Sequence, residues 1–166
     1  MSMSRRPASP GSRIAALSVF AIAMGWLEAV VVVYIRGLVG IAHTETIPPQ
    51  EEVMRRFLGL PWLMPTEQTR EVATLIMLAA VAGLSASRWR GRLGAFLVCF
   101  GTWDIVYYVA LYVLLRWPPS LTTMDLLFLL PPSPWWYQPV WVPIAISVVM
   151  IACGLSLYRS SERAAA

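Results

Sequence analysis

The chain has 166 residues, 58% of them hydrophobic and 13% charged, with a net charge of +4 and a mean hydropathy of +0.63. Soluble domains carry about 25% charge, so this composition belongs to a membrane protein and excludes an ordinary water-soluble enzyme or binding domain. All 13 basic residues are Arg, scattered between apolar runs without a basic helix face or a nucleic-acid motif, so the positive charge reads as topology and no nucleic-acid partner is expected.

Residues 1–13, MSMSRRPASPGSR, are polar, basic and rich in Ser, Pro and Gly: a disordered cytoplasmic N-terminal tail. The apolar run that follows contains an A-x-A match at 21–23. It far exceeds a signal-peptide core of about 7–15 residues, and so reads as an uncleaved span. Four spans are predicted, at about 14–35, 70–87, 93–115 and 139–158. Between the last two, a ten-residue apolar run at 121–130 would reach only about 15 Å as a helix. Bracketed by Trp117-Pro118-Pro119 and Pro131-Pro132-Ser133-Pro134, it reads as a half-helix on the outer side, interfacial or re-entrant. The expected fold is all-α: an integral membrane four-helix bundle forming one domain over 14–158, with the half-helix at about 121–130 and a cytoplasmic tail over 159–166.

Orientation follows from the arginines. Eight (Arg5, Arg6, Arg13, Arg88, Arg90, Arg92, Arg159, Arg163) fall on one side. Five (Arg36, Arg55, Arg56, Arg70, Arg116) fall on the other, diluted by Glu45, Glu51, Glu52, Glu67 and Glu71. The positive-inside rule then puts both termini in the cytoplasm of a bacterial cell, with the chain multi-pass in the inner (plasma) membrane. Trp62, Trp117, Trp135, Trp136, Tyr137 and Trp141 gather at the outer side as an interfacial belt. Small-residue ridges, Ala21/Gly25/Ala29 on the first span and Ala79/Gly83/Ser87 on the second, mark helix–helix contacts.

Four acids stand at or below the outer interface. Asp104 lies near the middle of the third span, where an ionised carboxylate costs roughly 2.5–3.5 kcal/mol. Trp103 precedes it, and Tyr108 and Tyr112 continue one polar stripe at helical spacing. Glu28 falls at a similar depth on the first span, so the two acids are expected to meet in the bundle, or each to clip a neighbouring helix. Glu71 reads as a first-turn acid favoured by the helix dipole, with Arg70 reaching to the interface. Asp125, three residues after Thr122, reads as part of a helix cap or as a half-helix ligand. Arg36, Arg70 and Arg116 are outer-face cations able to neutralise buried acids or attract an anion. His43, the single histidine, reads as an exposed loop residue, with Glu45 beside it as a candidate metal partner. Cys99 and Cys153 sit in apolar runs without metal-ligand or redox spacing.

The strings GWLEA at 25–29, REVATLIML at 70–78 and FGTWDIVYY at 100–108, with the Trp- and Pro-rich stretch 117–136, resemble an uncharacterised group of small bacterial polytopic membrane proteins. That pattern has Trp before the acid of the half-helix, where this chain has Met124 before Asp125. The resemblance implies a small integral membrane protein and no particular activity.

The expected function is non-enzymatic: an acidic intramembrane pocket that binds, senses or passes a proton, a metal cation or a small amphiphile. Glu28, Asp104, Tyr108, Trp103, Glu71 and Asp125 are the candidate ligands. No cofactor is expected, and whether a metal binds stays open. Two alternatives stand beside it: an accessory or assembly subunit of a larger membrane complex, or a small membrane enzyme acting on a lipid or prenyl substrate through acid/base carboxylates. The expected partners are the lipid bilayer and a second copy or a membrane complex.

Overall fold

A computed structural model describes residues 10–41, 47–130 and 134–164. Five helices follow one another: α1 (Pro10–Leu38), α2 (Gln50–Leu58), α3 (Leu63–Ser85), α4 (Trp89–Leu115) and α5 (Trp141–Arg163). Three of them, α1, α4 and α5, are long and apolar enough to cross a membrane, which makes this a multi-pass membrane protein. Residues 10–13, expected in a disordered tail, form the first turn of α1, and the expected C-terminal tail is helical as far as Arg163.

Packing centres on α4, which lies against α1, α3 and α5. Backbones meet at glycines. A Cβ on Gly94 would stand 2.7 Å from the Gly154 carbonyl oxygen, and one on Gly101 would stand 2.6 Å from that of Ser147, so α4 and α5 touch main chain to main chain. Gly25 does the same for α1, facing the Trp103 carbonyl. The start of α1 and the end of α5 lie together, joined by the Arg13–Glu162 ion pair at 3.3 Å. Tyr158 Oη adds a bond to the Ser85 carbonyl in the α3–α4 turn.

α3 begins seven residues before its expected start at Arg70. Pro65 sits in the first turn, where its missing N–H costs nothing, and Thr66 Oγ1 donates to the Trp62 carbonyl at 2.7 Å. The polar string TEQTR resembles a loop because its amphipathicity is inverted. Glu67, Glu71, Thr74, Leu78 and Ala82 are buried at i, i+4, i+7 spacing, while Val72, Ile76, Met77 and Leu84, the last 89% exposed, point away from the protein. A polar face turned inward and an apolar face turned outward is the arrangement lipid favours and water does not.

The opposite end is roofed. α4 stops at Arg116, which takes a left-handed conformation (φ 57°) ahead of Trp117 and two prolines. The expected half-helix at 121–130 is absent. The run instead contains strand β1 (Met124–Leu126), paired antiparallel with β2 (Tyr137–Pro139) so that Asp125 faces Gln138. A ten-residue helix would satisfy few of its own backbone groups. The ribbon satisfies them across the returning chain, with Leu127 N–H and Val140 N–H bonded to the Trp136 and Thr123 carbonyls. α2 completes the roof, burying Val53 and Phe57, while Arg56 donates to the Val39 and Gly40 carbonyls at the end of α1.

Gly101→Leu forces α4 and α5 apart and is expected to cost about 1–3 kcal/mol. At Gly83 a Cβ meets no atom within 4 Å among the described residues, so Gly83→Ala is expected to leave melting unchanged. Thermal melting of the detergent-solubilised variants checks both, and equal melting of the two would overturn the close-packed α4–α5 contact.

Candidate functional site

Beneath the roof, α1, α3, α4 and α5 enclose a cavity of about 340 Å³. Its polar wall has five carboxyl groups and two guanidiniums: Glu28 and Arg36 from α1, Glu67, Arg70 and Glu71 from α3, Asp104 from α4 and Asp125 from β1. Its apolar wall includes Val32, Ile35, Leu75 and Ile146, and its aromatic wall Phe100, Trp103, Tyr107, Phe128 and Trp136. Each of these elements brings its share for a simple reason. Glu67, Arg70, Glu71 and Thr74 occupy one helical face at i, i+3, i+4 and i+7, so one turn of α3 toward the bundle delivers all four.

Two arginines organise the acids. Arg70 bridges Glu28 of α1 and Glu67 of its own helix, the latter through Nε at 2.6 Å. Arg36 and Asp125 are almost wholly enclosed, 4% and 2% exposed, with Nη2 and Oδ1 3.7 Å apart. The Arg36 guanidinium lies 3.7 Å from the Trp117 ring centroid, and Tyr108 Oη donates to Asp125 Oδ2 at 3.1 Å. Burial pushes the Asp125 carboxyl above its ordinary range, against the lowering pull of Arg36 and of the Tyr108 hydroxyl.

The other two acids have no cation bonded to them among the described residues. Asp104 Oδ2 accepts a bond from Ser147 Oγ at 2.8 Å. Glu71 Oε1 accepts one from the Leu129 N–H at 2.8 Å, which ties α3 to the roof. Glu71 Oε2 is buried without a hydrogen-bond partner among the described residues, as is the Trp103 indole N–H.

All six residues singled out in the sequence, Glu28, Trp103, Asp104, Tyr108, Glu71 and Asp125, line this one cavity. Their pairings differ from expectation. Glu28 and Asp104 share the cavity but bond to Arg70 and Ser147, not to each other. The Asp104–Tyr108–Tyr112 stripe divides: Tyr108 serves Asp125, and Tyr112 is exposed beside Arg116. Glu71 is in the third turn of α3, beyond the reach of the helix-end charge, and the bonds above hold it in place of a dipole. Arg70 turns inward to Glu28 where an interfacial reach was expected. Asp125 lies on a strand and caps no helix. His43 and Glu45 lie outside the described residues. Among the described residues no three His, Cys, Asp or Glu side chains gather as a metal site.

Sequence reasoning missed Glu67, Tyr107 and Ser147. The first was legible in the E-x-x-R-E-x-x-T spacing, and the last as a polar residue in the apolar first half of its span.

Asp125→Asn keeps the shape and an acceptor for Tyr108 but leaves Arg36 buried without its counter-charge. It is expected to destabilise the protein by about 3–5 kcal/mol. The double variant Arg36→Met/Asp125→Asn should recover part of that loss, and strictly additive melting shifts would show that the pair is not coupled.

No family model, curated protein or solved structure matches the chain.

Proposed function

We propose that this protein is a four-span membrane protein with both termini cytoplasmic, whose roofed cavity binds a small amphiphile. On this reading α3 is the fourth span: its 23 residues reach about 35 Å, and its charged side chains turn into the bundle. The arginine distribution supports the orientation, and the apolar composition supports a membrane location, which we assign to a bacterial inner membrane.

The observation that carries the function is the two-sided wall of a single cavity. One side is built of aliphatic and aromatic side chains and the other of acids and arginines. Its volume of about 340 Å³ falls within the range of small-molecule sites. A proton relay would not need the apolar half, and a metal would need ligands gathered more closely than the described residues offer. An apolar tail against Val32, Leu75 and Ile146 with a polar head at the carboxyl groups uses both halves.

A second reading has one observation in its favour. Ala79 and Gly83 of α3 are not packed within the described residues, with open space beside Gly83, and such small-residue positions serve helix–helix association; Ser87, expected on the same ridge, lies beyond the end of α3 at Ser85. Cross-linking at Gly83→Cys in native membranes separates this from a monomeric binder.

The test of the first reading is native mass spectrometry of protein released from nanodiscs, titrated with three decyl amphiphiles: decyltrimethylammonium, decyldimethylphosphine oxide and decyl sulfate. At least one is expected to give a single saturable adduct that is lost in Val32→Trp, a variant that fills the cavity. Absence of a saturable adduct with all three would overturn the reading. A reporter on the C-terminus that is active only outside the cytoplasm would overturn the orientation.

A further inference from the structure

We infer that the head group the cavity takes is an organic cation, an ammonium-type group on an apolar body, held by Asp104 and Glu71. This rests on the amphiphile reading above and adds the sign of the charge.

Five carboxyl groups line the cavity and two guanidiniums answer them. Arg36 forms an ion pair with Asp125 across 3.7 Å, its Nη2 making no hydrogen bond among the described residues, and Arg70 is hydrogen-bonded to Glu28 and Glu67. No cation is bonded to Asp104 or Glu71 among the described residues: Asp104 accepts from the Ser147 hydroxyl, and Glu71 from the Leu129 and Leu130 amides, with Arg70 attracting it only through space. A carboxylate enclosed in a medium of low dielectric without a cation is costly, and a proton or a bound cation relieves it.

Two further observations favour a bound cation. Glu71 lines the cavity and is only 9% exposed, and its buried Oε2 has no hydrogen-bond partner among the described residues, so that oxygen's charge is uncompensated. The adjoining wall is a run of aromatic rings, Trp103–Phe100–Phe128–Trp136, with successive centroids 5.2, 6.5 and 5.2 Å apart. Aromatic faces attract ammonium groups and tolerate their alkyl substituents, whereas an anionic head would face two carboxyl groups that no guanidinium answers. Head-group sign is therefore set by Asp104 and Glu71, and tail length by the aliphatic wall.

The decyl series tests this directly, because the three probes share a tail and differ in head charge. Decyltrimethylammonium is expected to bind at least about tenfold more tightly than the phosphine oxide or the sulfate, the scale of one close charge pair. In Asp104→Asn/Glu71→Gln, which keeps acceptors for Ser147 and Leu129, the ratio of ammonium to phosphine oxide affinity should fall to about one, whatever the absolute affinities. Equal binding of all three heads by the unaltered protein would show that protons neutralise the two acids. That would overturn the cation inference and leave the amphiphile reading standing. A cation preference that survives the double variant would overturn the assignment to Asp104 and Glu71. No saturable binding of any probe would overturn both readings.

Discussion

A guanidinium held between two carboxylates inside the bundle fixes how the helices can stand. Arg70 links Glu28 on α1 to Glu67 on α3. The α1–α4 and α4–α5 contacts are set by glycines that let main chains touch, but the glycine of α3, Gly83, faces open space. α3 is therefore placed by its polar face together with the buried Leu78 and Ala82. Glu71 extends the same constraint upward, accepting the Leu129 amide and so seating the roof on α3. Helix placement and cavity shape are consequences of one strip of charged side chains that lipid cannot solvate.

The roof adds a second constraint at the other end of α1. Arg36 is gripped by Asp125 and by the Trp117 ring, one from the ribbon and one from the segment just after α4. Tyr108 of α4 closes the group by donating to the same carboxylate. Four separate stretches of chain meet there. The cavity is thus bounded by two sets of tertiary contacts, one at Arg70 and one at Arg36.

Apolar length made α1, α4 and α5 legible to within a few residues, because a bilayer demands about 20 consecutive apolar positions and little else does. An acid inside such a run also announces itself, which is why Glu28 and Asp104 stood out. What could not be read was the partner of each charge. Arg36 lies on the helix of Glu28 yet pairs with Asp125, far along the chain, and nothing in local spacing encodes that choice. The early turns of α3 were misread because TEQTR looks solvated, when its Glu67 and Arg70 instead turn into the bundle. The half-helix failed for a similar reason. Apolar content marked 121–130 for burial, but strand pairing with a segment beyond the prolines decided its backbone.

The split of the Glu28–Arg70 pair between α1 and α3 has a consequence for how the chain is made. Ribosomes deliver α1 first, and on the four-span reading its carboxyl waits in or beside the bilayer until the residues around 70 emerge. α3, with Glu67, Arg70 and Glu71 near one end, is the helix least suited to partition into lipid unaided. Each segment carries what the other lacks, so their entry into the membrane is cooperative, and α1 must remain close to the insertion site while α2 and the first turns of α3 are still being synthesised.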